Sequence, residues 1–345
     1  MRIMNIKIRN APYVLVLTVV LCLSALLGAC GKKAQPDGQA ASDLPPVKRI
    51  VFEEAPDTIV ARYDGGVVGA GDFAAYLNFM QLIDPSGQAA DGTLWEQILD
   101  DYVGLHILAQ RAKAQGDVTD SKDPNSATKD SYDALVSQLK AVYGDRGYAE
   151  RLQALGLSDD DVHKFVSLYA AADAYLTHVK SDDELRADYE ARKGDYTLTT
   201  VRHILIKVDD KRGDDEARAL AEELARRAKG GEDFAKLADE YSEDPGNTNP
   251  DGSKNGGLYE NVMAGQWVPP FKAAALSQPI GKVGAPVKTD YGYHVIVVEA
   301  RKEQSFEDVR ELLVGEAARE AYQAFREKEL PELIGERHIP KAKAS

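Results

Sequence analysis

The 345-residue sequence predicts an α+β domain, residues 199–301, inserted in a mainly helical one. Two observations predict it. At Thr199 the hydrophobic period changes from helical to alternating, and strand-like segments then interleave with helical ones. After Arg301 the helical period returns for one long segment, too little to bury a core alone. That segment finds its core on the earlier helices, so the helical domain is discontinuous, built from 49–198 and 302–345.

The first 29 residues read as a leader rather than as part of the fold. Arg2, Lys7 and Arg9 form a positive start, Ala11 to Leu27 is apolar, and Leu27-Gly28-Ala29-Cys30 closes the run. An ordinary membrane anchor would end in stop-transfer basic residues; small residues before a cysteine instead resemble the lipobox of bacterial lipoproteins. The resemblance implies cleavage before Cys30, lipidation of Cys30 and attachment to the extracytoplasmic face of the cell membrane. Cys22 leaves with the leader, so no disulfide remains. Gly31 to Lys48, rich in Gly, Ala, Gln, Pro and Asp, reads as a flexible tether with a reach of roughly 23 Å. The formal charge is −14 and becomes more negative without the leader, which argues against nucleic acid as a partner.

Within 49–198, Thr58 to Tyr63 alternates like a strand before an Asp64-Gly65 turn signal. Asp72 is the expected N-cap of a helix bearing Phe73, Tyr76, Leu77 and Met80. A second helix is expected over 94–115, with Leu94, Ile98, Tyr102, Leu105 and Leu108 at helical spacing. After a polar break from Asp117 to Lys129, helices are expected over 131–143, 147–155, 159–179 and 182–192. Ser158-Asp159-Asp160-Asp161 and Ser181-Asp182-Asp183-Glu184 have capping-box form, which explains their acidity better than metal binding does.

In the strand opening at Thr199, Val201, His203 and Leu205 share one face and Arg202, Ile204 and Ile206 the other. Ala217, Leu220, Leu224 and Ala228 mark a helix stopped by Gly230-Gly231, and a shorter helix spans 234–241. A loop over 242–257 and a helix over 268–276 precede two strands, 283–289 and 292–298, joined by a tight turn. Ser305-Phe306-Glu307-Asp308 then caps the final helix, which continues through Tyr322, Phe325 and Leu330.

The chemistry concentrates in this inserted segment. His203 and His294 lie on different strands, and Asp244 lies in the long loop. Tyr259, Trp267 and Phe271 supply apolar walls. A histidine in a strand is ordinarily a hydrogen-bonded core or surface residue. No short-range ligand spacing makes these three a metal site, and no cofactor is implied. Asn247, Asn249, Asp251 and Gly252 mimic the start of a calcium loop, but Leu258 stands where its last ligand would be, so a plain turn is expected.

His203-Ile204-Leu205-Ile206, Tyr241-Ser242-Glu243-Asp244, Gly256-Gly257-Leu258-Tyr259, Gly265-Gln266-Trp267-Val268-Pro269-Pro270-Phe271 and Gly292-Tyr293-His294 resemble, in order and spacing, the parvulin-type peptidyl-prolyl isomerases. With the flanking helices and the lipobox, the whole plan resembles the PrsA foldase lipoproteins and, more loosely, the SurA chaperones. The resemblance implies an antiparallel four-stranded sheet with helices, and catalysis of X–Pro cis–trans isomerisation by His203, Asp244 and His294. It implies substrate contacts at Tyr259, Trp267, Phe271, Thr289 and Tyr291, with unfolded exported polypeptides as partners. The helical domain is a candidate for homodimerisation. Two departures, Leu258-Tyr259-Glu260 in place of Asp-Leu-Gly and Trp267 in place of a commoner methionine, imply a changed sequence preference. Two basic and four acidic residues between Val208 and Asp215 argue against a phosphate-directed enzyme. The competing reading is a holdase whose parvulin domain binds peptides without turnover. A solute-binding lipoprotein lacks support, because the long strand–helix alternation of a two-lobed α/β receptor is missing.

Overall fold

The computed structural model describes residues 47–84, 88–116 and 127–343, in two compact units. The leader, Cys30 and nearly all of the tether lie outside the described residues, as does most of the polar break. Among the described residues, no helix is long and apolar enough to cross a membrane.

The helical unit comprises the described residues up to Ser181 together with those from Val314 onward. Strands β1 (Ile59–Tyr63) and β2 (Gly66–Gly69) form a hairpin across Asp64-Gly65, where Gly65 takes φ +94°. Helix α1 (Ala70–Ile83) follows at once, capped by Gly69 rather than by the expected Asp72. The helix begins three residues early because β2 runs straight into it, leaving Asp72 in the first turn, where it pairs with Lys164 at 2.5 Å. Helix α2 (Trp95–Gln115) buries Leu99, Tyr102 and Leu108 and ends on Gly116 at φ +93°. Helix α3 (Ala127–Leu155) is broken at Gly144, φ +74°, between the two helices expected there. Helix α4 (Asp159–Thr177) starts with the capping box of Ser158 and Asp161.

The core of this unit is aromatic. Tyr76 stacks on Tyr102 at 4.2 Å, and its hydroxyl meets that of Tyr169 at 2.6 Å. Asn78, buried in α1, pairs with the incoming backbone, accepting from Ile50 N–H and donating to Ile50 C=O. Pairing both backbone groups of one residue keeps the segment ordered without leaving polar atoms unpaired.

The inserted unit spans Asp182–Leu313, wider than the 199–301 of the strand pattern. It includes helix α5 (Asp182–Arg192), whose Tyr189 packs on Tyr196 and Phe306. Strand β3 (Leu198–Lys207) leads to helix α6 (Asp214–Lys229), which carries acids in its first turn and bases in its last, matching the helix dipole. Helix α7 (Phe234–Tyr241) is capped by Asp233, which accepts from the Ala235 and Lys236 amides. Strand β4 (Leu258–Met263), helix α8 (Pro269–Ser277), β5 (Val287–Thr289) and β6 (Gly292–Lys302) complete the four-stranded antiparallel sheet, in the order β4-β3-β6-β5.

Two expectations change here. Strand β5 starts at Val287 rather than Val283, which forms only a single bridge to Val297. The stretch between the expected loop and the helix from 268, given no element by the sequence, holds β4, an edge strand interrupted at Asn261, where φ is +52°. Leu-Tyr-Glu-Asn-Val-Met carries no clean alternation because the strand shifts register between Tyr259 and Val262.

One face of the sheet sets Ile204, Ile206, Tyr293 and Val295 against Ala217, Ala221 and Leu224 of α6. Full burial of a side chain such as Leu224 contributes about 1.5–3 kcal/mol. The opposite face packs Val201, Ile296 and Val298 against Phe271 of α8. His203 lies opposite Ile296 in the β3–β6 register, and Leu205 lies opposite His294. Cross-strand partners share a face, so the two histidines are diagonal neighbours on the α8 side.

Helix α9 (Phe306–Ala324) starts with Ser305 and Asp308 exchanging capping bonds. Its part from Val314 belongs to the helical unit, as do a π-turn (Phe325–Glu329), the short α10 (Leu330–Leu333) and β7 (Ile334–Arg337). β7 pairs antiparallel with β1, giving a three-stranded sheet of order β2-β1-β7 that the sequence reading reduced to one strand.

Candidate active site

The diagonal placement brings the imidazoles together, with His203 Nδ1 3.2 Å from His294 Nδ1. Both side chains are almost wholly buried, His203 at 4% and His294 at 5% exposure. The loop after α7 carries Asp244 to the far side of His203, and its Oδ2 lies 3.1 Å from His203 Nε2. The same oxygen accepts a 2.6 Å bond from the Tyr259 hydroxyl. At the other end, Thr289 Oγ1 is 2.8 Å from His294 Nε2 and accepts from the Tyr291 backbone amide.

The direction of these bonds follows from the carboxylate. Burial alone would raise the Asp244 pKa, but hydrogen bonds from His203 and Tyr259 outweigh it and hold it at about 2. Ionised, Asp244 can only accept. His203 therefore donates from Nε2, and in the arrangement where its Nδ1 carries no proton that nitrogen accepts from His294 Nδ1–H. That leaves His294 Nε2 to accept from the Thr289 hydroxyl. Burial lowers the His294 pKa to about 4, so this ring is neutral at pH 7. Tyr259 is pushed upward, by burial first and then by its bond to Asp244, and keeps its proton.

The apolar side is made by three rings. Phe271 stands edge-on to both histidines, at 5.3 Å from each. Trp267 lies 4.6 Å from Phe271, and Tyr259 meets Trp267 at 5.4 Å. The indole is tethered by Nε1–H to Thr199 Oγ1 at 3.0 Å, beside the bulge where β3 shifts register. The Tyr291 side chain stands 62% exposed on the β5–β6 turn, and it is its backbone that joins the bonded chain.

Several residues to which the sequence assigned no role in the site support it. Ser242 Oγ accepts from the Leu205 and Asp244 amides, tying the loop to β3. Asn247, with no exposed surface, donates to Ala238 C=O and accepts from Gly257 N–H at 2.6 Å. It thus serves as a loop anchor, and the expected plain turn holds Asp251 in a bond to Ser253. Gly257 takes φ +68°, and a Cβ there would lie 2.2 Å from the His203 carbonyl oxygen. Arg212, in the loop after β3, is occupied by Glu243 at 2.6 Å. Among the described residues, no group of three or more His, Cys, Asp or Glu is arranged to hold a metal ion.

Residues 188–302 match the family model of the PPIC-type PPIase domain. The foldase protein PrsA of Geobacillus kaustophilus is 32% identical over 227 residues, 65% of this chain and 69% of that one. The foldase protein PrsA of Caldanaerobacter subterraneus subsp. tengcongensis is 29% identical over 218 residues, and the match spans 62% of this chain and 60% of that relative. The chaperone SurA of Chromohalobacter salexigens is 38% identical over 121 residues, 35% of this chain and 27% of its own length.

Proposed function

Because this chain belongs to the PrsA foldase family and carries a parvulin-type peptidyl-prolyl isomerase domain, we propose that it is a lipid-anchored extracytoplasmic foldase that turns X–Pro bonds in exported polypeptides. The observation that carries the reading is the chain of bonded groups from Thr289 through His294 and His203 to Asp244, laid beside the rings of Tyr259, Trp267 and Phe271.

The uncatalysed bond faces a barrier of roughly 18–20 kcal/mol because rotation sacrifices amide resonance. No covalent bond has to break. The planar amide is more polar than the twisted one, so a dry pocket that has replaced water favours the twisted form. In this reading the rings of Tyr259, Trp267 and Phe271 receive the proline. His203, Asp244 and His294 then present a fixed pattern of polar atoms to the adjacent carbonyl, with Thr289 and Tyr291 at the rim. Each tenfold gain in rate requires about 1.4 kcal/mol, so a small difference in binding suffices. The helical unit holds the rest of the client, and Cys30 fixes the protein to the membrane surface.

The test is isomerisation of a short X–Pro peptide by the full chain, beside Asp244→Ala and His203→Ala. Both variants should lose turnover while keeping most of the suppression of client aggregation. Folded wild-type protein with no rate above background favours the holdase reading instead, for which the pinned, bulky Trp267 is the supporting observation. A Cys30→Ser chain recovered in the membrane fraction in the wild-type amount would refute the anchor.

A further inference from the structure

Tyr259 does more than line a pocket. Its hydroxyl sits on the same carboxylate oxygen that receives His203, at 2.6 Å against 3.1 Å. Two donors converging on one oxygen fix both the rotation of the Asp244 carboxylate and the direction from which His203 can reach it. The approach depends on the loop as well. A Cβ on Gly246 would fall 1.7 Å from Tyr259 Oη, so the hydroxyl reaches Asp244 only because residue 246 is glycine. The Gly246 backbone conformation is not left-handed, so shape rather than strain makes the requirement.

We infer that Tyr259 is a positioning residue of the isomerase site, acting through its hydroxyl on Asp244 to hold the two histidines in one tautomeric arrangement. The inference rests on the isomerase reading above for its consequence in turnover, but not for its structural content. The groups facing the carboxylate are few: His203 from β3, Tyr259 from β4 and the Gly246 backbone amide from its own loop, with His294 behind His203. If the hydroxyl is lost, Oδ2 is released from one of its two anchors and the carboxylate can rotate. His203 Nε2–H then no longer has a single acceptor position, and the direction of the bonds through His294 and Thr289 ceases to be imposed.

The tyrosine ring and its hydroxyl can be separated experimentally. Tyr259→Phe keeps the ring against Trp267 and removes only the donor, whereas Tyr259→Leu removes both. In the full chain, Tyr259→Phe should lower kcat about tenfold with KM little changed, and Tyr259→Leu should raise KM as well. With nitrogen-15 in the six histidines, the His203 and His294 rings should show one tautomer each at pH 7 in the wild type. In Tyr259→Phe they should show averaged resonances. Gly246→Ala, which displaces the hydroxyl without removing it, should reproduce both changes. Wild-type kcat in Tyr259→Phe, or unaltered ring nitrogens in that folded variant, overturns the inference and leaves Tyr259 as a wall. A wild-type chain without turnover sinks the isomerase reading alone, and the nitrogen resonances then decide the role of Tyr259 by themselves.

Discussion

Acid should loosen the isomerase unit well before its carboxylates protonate, and His294 is the reason. The ring is 5% exposed, and burial places its folded-state pKa at about 4, below the ordinary 6.5. Between those values the unfolded chain binds a proton that the folded chain refuses, so stability falls as pH drops through this window. From pH 7 to pH 4.5 the loss from this one group is about 2 kcal/mol. Asp244 is silent over the same range: its lowered pKa removes stability only as pH falls below the ordinary carboxylate value toward 2. The chain has two tryptophans, and Trp267 lies in the isomerase unit while Trp95 lies in the other. A Trp95→Phe background therefore makes Trp267 fluorescence a private reporter of the unit. Urea unfolding at pH 7, 5.5 and 4.5 would be compared with a His294→Gln variant, which cannot titrate. The parent should lose about 2 kcal/mol more than the variant over that span. Equal losses in the two proteins would falsify the assignment of acid sensitivity to this ring.

Further outcomes can be checked with the same reporter. Asn247→Ala leaves the Gly257 amide and the Ala238 carbonyl without their buried partner, and should cost about 3 kcal/mol in urea unfolding. Gly257→Ala combines left-handed strain with a Cβ 2.2 Å from the His203 carbonyl oxygen. It should destabilise by more than about 4 kcal/mol, read as loss of soluble folded protein. Asp233→Ala removes the cap of α7 and should cost about 1 kcal/mol, measurable as a modest fall in the urea midpoint.

The parts of the fold legible in the sequence are those where side-chain chemistry and local geometry coincide. Ser158 and Asp161 exchange the bonds of a capping box because a three-residue spacing can do little else at a helix start. Strand β3 was legible because it is central and buried on both faces, so Ile204, Leu205 and Ile206 form an apolar run in which each side chain suits one side of the sheet or the other. Strand β4 was illegible because an edge strand with Asn261 at positive φ answers to its neighbour rather than to a period. β7 was illegible for a different reason: its partner β1 is some 270 residues away, beyond the reach of any local pattern. In the site, the resemblance of the motifs pointed to His203, His294 and Asp244, yet nothing local announced that Tyr259 shares the carboxylate. That bond depends on how far the 242–257 loop folds back, and Gly246 and Asn247 set that distance through tertiary contact.

The pairing of β1 with β7 also sets an order in time. As the chain emerges from its N-terminus, β1 and the first helices appear long before the strand that completes their sheet. Every strand of the isomerase sheet, by contrast, lies between Leu198 and Lys302 and can pair as soon as that stretch is out. Domains fold as units once their residues are present, so the inserted unit can close first while the helical unit still waits for Ile334. During that interval the part of the helical core that Phe325, Leu330 and Ile334 complete is still open on a chain whose isomerase is already built. The protein is thus, for a moment in its own synthesis, the kind of unfinished polypeptide that it is proposed to serve.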